Sequence, residues 1–435
     1  MWGLERLWLE GLLWGAGITL SLWERGRAYI IPLLLSVYGA GLLYEVGTAS
    51  VLIETSWWAG RLGLIFSLLT AASWIAYPPS REGALALLIQ LGAYTLLLRS
   101  AHLTMTWALL ETAAIAGYFV ALTLSRKENP WGTALTYFTW NVVGSALILM
   151  AIALRLAEGK GLSYPLASAG WLSDGLLGWG WAIKVGFLPW QGWLLRLYEA
   201  LPPVWAGWFS AVPKGALLSS LLFMLPDTGE GGLQLGLFYL LSAGTLIGAY
   251  SIAWRQASVL RILFWGSLGQ GAFLSLVLVP GAQVAGWYFW MVYAVGTWVS
   301  FVYAERPWLS SWGRAVGLLL LANLAALPPV LGFWVKVALF ERGFQLLTGP
   351  WRAILLGSGA FALIGGLLSY GKALYILWES PPLVSMPSRP YQALYLLSAL
   401  AFLLLGIGVG LLYGQGLLQV GKGEVYLRFG GRQAD

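Results

Sequence analysis

The chain has 435 residues, of which 59% are hydrophobic and only 10% charged, and its mean hydropathy is +0.75. An average soluble domain carries about 25% charged residues, so the composition excludes a soluble globular protein and reads as an integral membrane protein. The net charge of +7 is spread over single Lys and Arg residues between apolar runs, which fits membrane orientation and anionic lipid and excludes nucleic acid as a partner. Cysteine is absent and His102 is the single histidine. Disulfides, thiolate metal sites, iron–sulfur ligation and multi-histidine sites are thereby excluded, and any redox cofactor is expected in partner chains.

Crossing a bilayer core about 30 Å thick takes about 20 mostly apolar residues in a helix. In chain order, fourteen such windows follow one another: roughly 7 to 23, 28 to 44, 57 to 77, 83 to 98, 101 to 124, 131 to 155, 171 to 196, 203 to 226, 232 to 253, 258 to 279, 284 to 304, 313 to 345, 351 to 378 and 391 to 414. The first has no cleavage signature and is expected to be a retained span, not a signal peptide. The apolar runs lack period-two alternation, so they predict helices and not barrel strands. The fold class expected is an all-α polytopic membrane protein. Short loops such as "YPPSREG", "RKENPWG" and "LPDTGEGG" punctuate the windows. With an even number of spans both termini share a side. The bias of Lys and Arg, with Arg155 and Lys160 counted in an external loop, favours termini outside.

Two windows are interrupted alike, the seventh by Pro189 in "IKVGFLPWQGW" and the twelfth by Pro328 and Pro329 in "ALPPVLGFWVK". Proline removes a backbone donor and clashes with the preceding turn, so both helices should break near mid-membrane. Windows four to eight and nine to thirteen form two blocks of five helices. Because five is odd, corresponding helices run in opposite senses, as an inverted-topology repeat requires, and paired broken helices point to a transport path. The expected division is 1–80 for the first three spans, 81–226 for the first five-helix repeat, 227–380 for the second, and 381–435 for the last helix and tail.

Within the windows the unexpected ionisable residues are Glu111, Lys184, Lys214, Lys336 and Lys372. A charge at the bilayer centre costs about 2.5 to 3.5 kcal/mol, so these residues need partners or water. Thr104, Glu111 and Tyr118 recur every seven residues and define a polar stripe on one helix, and Gln191 shares a face with Lys184. Lys214 follows Pro213 directly, and Lys336 follows the second break. Lys372 lies near a helix end, where it is expected to snorkel. A desolvated lysine tends towards the neutral amine and a nearby carboxylate restores the ammonium, so a Lys beside a movable Glu can take up and release a proton. The row Glu111, Lys184, Lys214, Lys336, bridged by water at the broken helices, reads as a proton wire; the blander reading is a static ion pair between Glu111 and one lysine that fixes helix packing. His102 reads as a capping or interfacial side chain, and most of the 27 Trp as interface anchors.

These residues resemble a family. "GWAIKVGFLPWQGWLLRLYEALPPVWAGWFSAVPKGAL" is similar to the core signature of the antiporter-like membrane subunits of respiratory complex I, the proton-translocating NADH-quinone oxidoreductase. "SAHLTMTWALLETAAIAGYFVAL" resembles that family's fifth span, "RQASVLRILFWGSLGQGAF" the start of its tenth and "LANLAALPPVLGFWVKVALF" its twelfth, over about residues 80 to 380. The "VPK" around Lys214, a lysine at 336 and the chain length resemble the N-type subunit. The resemblance implies that Glu111 and Lys184 interact, Lys214 relays and Lys336 is the exit-side proton site. Gln191 and Gln270 stand where the family commonly has histidine; glutamine orients water but does not titrate. The resemblance further implies a multi-pass bacterial inner-membrane protein with periplasmic termini, packed against other membrane-arm subunits. NADH, FMN, iron–sulfur clusters and quinone would then be held by partner chains, none by this one. Two other classes fit the same motifs: an Mrp-type cation/proton antiporter or membrane-bound hydrogenase subunit, and a non-pumping scaffold. One deep glutamate against three lysines argues for protons over sodium.

Overall fold

The computed structural model describes residues 53–225, 235–379 and 388–414, with two short strands at 418–420 and 425–427. The expected spans 7–23 and 28–44 lie outside the described residues. Among the described residues fourteen α-helices follow in order: α1 Ile53–Ala76, α2 Arg81–Leu97, α3 Leu103–Leu124, α4 Pro130–Ala157, α5 Trp171–Val185, α6 Gly192–Ala200, α7 Pro203–Phe223, α8 Gly236–Ala253, α9 Val259–Phe273, α10 Gln283–Glu305, α11 Ser311–Ala325, α12 Leu331–Leu346, α13 Gly349–Glu379 and α14 Arg389–Gly414. A 3₁₀ turn, Leu274–Val277, extends α9. The strands β1 Leu418–Val420 and β2 Val425–Leu427 pair antiparallel, a small exception to the expected all-helical chain.

Local chemistry sets several helix starts. Ser80 and Ser310 each accept a hydrogen bond from the backbone N–H three residues on, at 3.2 Å, capping α2 and α11. Pro130 and Pro203 occupy the first turns of α4 and α7, where a missing N–H costs nothing. Seven helical stretches among the described residues are individually long and apolar enough to cross a bilayer: 59–76, 103–124, 130–157, 236–253, 259–277, 349–379 and 389–411. The chain is a multi-pass membrane protein. The other expected spans differ for physical reasons. The breaks cut the seventh and twelfth windows into helices of 15 and 9, and 15 and 16 residues, while α7 and α10 are diluted by Trp, Tyr, Ser and Gly.

Both breaks begin with the same backbone device. Gly186 (φ 80°) and Ala326 (φ 61°) adopt the left-handed conformation. The next N–H in each case, Phe187 or Leu327, reaches back to Ala182 or Ala322, at 2.9 and 3.0 Å. The chain then turns through cis Leu188–Pro189 in one and cis Pro328–Pro329 in the other before helix resumes.

The chain divides into two compact units, one up to Met224 and one from Gly236 onward. In the first unit α7 is buried along its length, and α1, α2, α5 and α6 pack on it. The pair α4 and α5 cross at Gly144 and Gly180. A Cβ on Gly144 would sit 2.9 Å from the Gly180 carbonyl, and one on Gly180 2.7 Å from the Gly144 carbonyl, so only hydrogen fits between these backbones. In the second unit α8 and α9 pack on each other and on α13, α11 packs on α13, and α10, α12 and α14 lie alongside.

Because backbone cannot yield as a side chain can, Gly180→Leu should lower stability by about 1–3 kcal/mol through overpacking. Gly132→Ala, in the partner helix α4 but with open space around it, should leave stability unchanged or slightly raised. Thermal unfolding of the two variants in detergent checks the contrast.

Candidate functional site

In the first unit, Lys184 occupies the last turn of α5, just before the break, and only 2% of it is accessible. Its Nζ lies 3.4 Å from Oε1 of Glu111, which projects from α3 and is about a quarter exposed (24%). The same Glu111 oxygen accepts the hydroxyl of Ser145 on α4. Ser145 is in turn held by its carbonyl, which accepts from the Trp107 indole at 3.2 Å. The carboxylate therefore has two partners, one cationic and one neutral. Gly144 makes the arrangement possible, since a side chain there would lie 2.9 Å from Cγ of Lys184.

Lys214 is buried (3%) in the middle of α7, its Nζ 5.9 Å from the centroid of the Tyr198 ring. Pro213 beside it leaves the Phe209 carbonyl without its helical donor. Lys184 and Lys214 line one cavity of about 20 Å³, together with Tyr94, Tyr137, Asn141, Trp193 and Phe209. One water needs about 10–15 Å³, so the space suits a single molecule.

In the second unit, Lys336 on α12 donates to the Leu324 carbonyl at 3.0 Å and lies 4.6 Å from the Phe273 ring centroid. Leu324 is in the last turn of α11, where the break frees carbonyls from helical duty. Gln270 of α9 donates to the same carbonyl at 2.7 Å, and its side chain is also hydrogen-bonded to Tyr370 of α13. Lys336 walls one side of a groove of about 740 Å³ between α12 and α13 that is otherwise mostly apolar, with Phe333, Phe340, Phe344 and Leu367 along it.

The other expected residues are distributed differently. Thr104 is exposed and bonded to Nδ1 of His102 at 2.6 Å, so only Glu111 of the predicted stripe makes a charged contact. His102 occupies the N-cap position of α3 without a side-chain cap bond. Tyr118 is half-buried against the Phe119 and Phe138 rings. Gln191 precedes α6, and its Oε1 is buried without a hydrogen-bond partner among the described residues. Lys372 ties the Trp254 carbonyl at 2.9 Å near the end of α8. Among the described residues no group of three or more His, Asp or Glu gathers as a metal site would require.

Arg155 corrects the sequence reading, which counted it as a loop charge. It is the last-turn residue of α4 and fully buried, 2.8 Å from Asp174 at the start of α5, with both side chains at 0% exposure. Arg155 also donates to the Ala167 carbonyl, and Ser168 donates to Asp174 at 2.8 Å. The guanidinium turns inward because the 158–170 segment lies across it, sewn down through Leu103 N–H to Leu162 O and Leu166 N–H to Met224 O. Sequence reasoning also passed over Gln90, Tyr94, Tyr137 and Asn141, all buried in the first unit. Their only signal was a polar type inside an apolar helix.

No protein-family model matches the chain. It aligns with NADH-quinone oxidoreductase subunit N from Geotalea uraniireducens at 28% identity, over 57% of this chain and 59% of that protein. With the subunit N of Rubrobacter xylanophilus the identity is 26% over 81% of this chain and 82% of that one. The chain is similar to the N-type, antiporter-like subunits of complex I. Solved structures share the fold: a chain of respiratory complex I from Thermus thermophilus with bound aureothin matches at TM-score 0.77 and 20% identity, over 93% of this chain and 97% of that one. A chain of the Mrp complex from Dietzia sp. DQ12-45-1b matches at TM-score 0.72 and 15% identity, over 92% and 94%.

Removing one partner of a fully buried pair strands the other charge, at a cost of about 3–5 kcal/mol, whereas replacing both by apolar groups is often neutral. Arg155→Met should therefore lower thermal stability sharply, and Arg155→Met combined with Asp174→Leu should recover most of the loss.

Proposed function

We propose that this chain is a proton-translocating membrane-arm subunit of an NADH:quinone oxidoreductase, driven by electron transfer in partner chains and holding no redox centre itself. The observation that carries the reading is the Glu111–Lys184 pair at a broken helix, on a cavity that Lys214 shares. A static pair would satisfy Glu111 and Lys184 alone; it would not call for a second buried lysine on the same small cavity. In the loaded state Glu111 faces the Lys184 ammonium. When the carboxylate turns fully to Ser145, the ammonium loses its counter-charge in a low-dielectric setting, where an unpaired ion costs several kcal/mol. The proton then moves to Lys214 through the cavity. Lys336, held with Gln270 on the carbonyl of the second break, is the exit-side proton site in this reading. The likeness in fold to an Mrp complex chain supports a second reading, a cation/proton antiporter subunit.

In the assembled complex reconstituted in vesicles, Glu111→Gln and Lys184→Met should each cut proton uptake and turnover together, by about a hundredfold, the lower end of what a positioned proton donor or acceptor contributes. Unchanged uptake with normal assembly would favour the scaffold reading. Uptake that requires sodium would favour the antiporter reading.

A further inference from the structure

We infer that the Tyr137 hydroxyl, held by Tyr94, which Gln90 in turn binds, is the positioning group that holds a water between Lys184 and Lys214; the inference rests on the proton-path reading above and names the element that joins its first two lysines.

Tyr137 is on α4 and lines the cavity that both lysines share. Its ring is fixed by edge-on contacts with Trp193 and Phe209, at centroid distances of 5.5 and 6.2 Å. The hydroxyl is bonded to Tyr94 on α2, and Tyr94 accepts from the Gln90 amide at 3.2 Å. Gly117 of α3 admits this cluster, because a Cβ there would strike the Tyr137 phenol and lie 2.6 Å from the Gln90 nitrogen. One turn along α4, Asn141 bonds the Tyr137 carbonyl at 2.9 Å and also lines the cavity. Gln90, Tyr94, Tyr137 and Asn141 are each buried, with 6% exposure or less.

Such a cluster is expensive in a membrane helix bundle. The Gln90 carbonyl oxygen is buried without a partner among the described residues, a cost of about 1–3 kcal/mol. Packing alone would be served as well by phenylalanine and leucine. The cluster does what an apolar wall could not, since a buried water needs two to four polar partners. Tyr137, Asn141, Lys184 and Lys214 supply them around a space of one water's size. The transfer balances without any redox change. The Lys184 ammonium gives a proton to the water, and the water gives a different proton to the Lys214 amine. The phenol keeps its own proton and only keeps the water aligned.

The test uses the assembled complex in vesicles, with proton uptake and its ratio in H₂O and D₂O as readouts. Tyr137→Phe preserves the ring contacts and deletes the hydroxyl. Loss of one net hydrogen bond should slow uptake about fivefold to tenfold and raise the solvent isotope effect. Tyr94→Phe, which loosens only the clasp, should move both readouts the same way by a smaller factor. A wild-type rate in Tyr137→Phe, or a slower rate with an unchanged isotope effect, overturns the inference. If Tyr137→Phe fails to assemble, wild-type rate and isotope effect in Tyr94→Phe overturn it. Glu111→Gln in the same assay separates the two levels: if it pumps normally the proton-path reading has failed, and if it is blocked while Tyr137→Phe is normal only this inference has.

Discussion

A charged amine inside a bilayer has to be given something to hold, and the helices of this protein are shaped by that requirement. Each of the two lysines next to a break finds an oxygen that an unbroken, apolar bundle would not offer. Lys184 meets the Glu111 carboxylate across α3 and α5. Lys336 meets the Leu324 carbonyl, left over where α11 stops. The prolines end the helices, the left-handed residues Gly186 and Ala326 turn the chain, and the last carbonyls become available as ligands for cations.

The two breaks use that device in different ways. In the first unit the lysine comes before the turn, and its partner is a side chain that carries charge and can rotate. In the second it comes after the turn, and its partner is a backbone dipole that Gln270 also binds. The first arrangement can change its charge balance by moving one side chain. The second keeps its acceptor whatever the amine does, because the Gln270 bond to Leu324 does not depend on the lysine. In the proposed proton path the former suits a site that loads and unloads, and the latter a site with constant geometry.

Much of this was legible in the chain itself. Lysines and a glutamate within apolar runs are conspicuous because they are costly, and a Pro in a helical window breaks it for reasons that do not depend on tertiary context. That is why Glu111, Lys184, Lys214, Lys336 and both breaks could be named beforehand. Arg155 was misread because a charge at a predicted helix end looks solvated unless the following segment is known to fold back over it. Tyr94, Tyr137 and Gln90 were missed because a neutral polar residue on an apolar helix carries no mark of which neighbour it faces. That depends on helix rotation and crossing, and the apolar pattern of a membrane helix constrains these weakly. Thr104 fell outside the site for the same reason: sevenfold spacing puts residues on one face but does not say how far along that face the neighbouring helices reach.

The meeting of Gly144 and Gly180 has a mechanical consequence. Two helices whose main chains touch behave as one strut, so the amine of Lys184 rides on a part that has no room to slide or twist. Any movement at this pair then falls to the side chains of Glu111 and Lys184, not to the travel of whole helices, which takes microseconds or longer. In the proposed proton path such a side-chain latch would follow slower events elsewhere in the complex and would not set the pace.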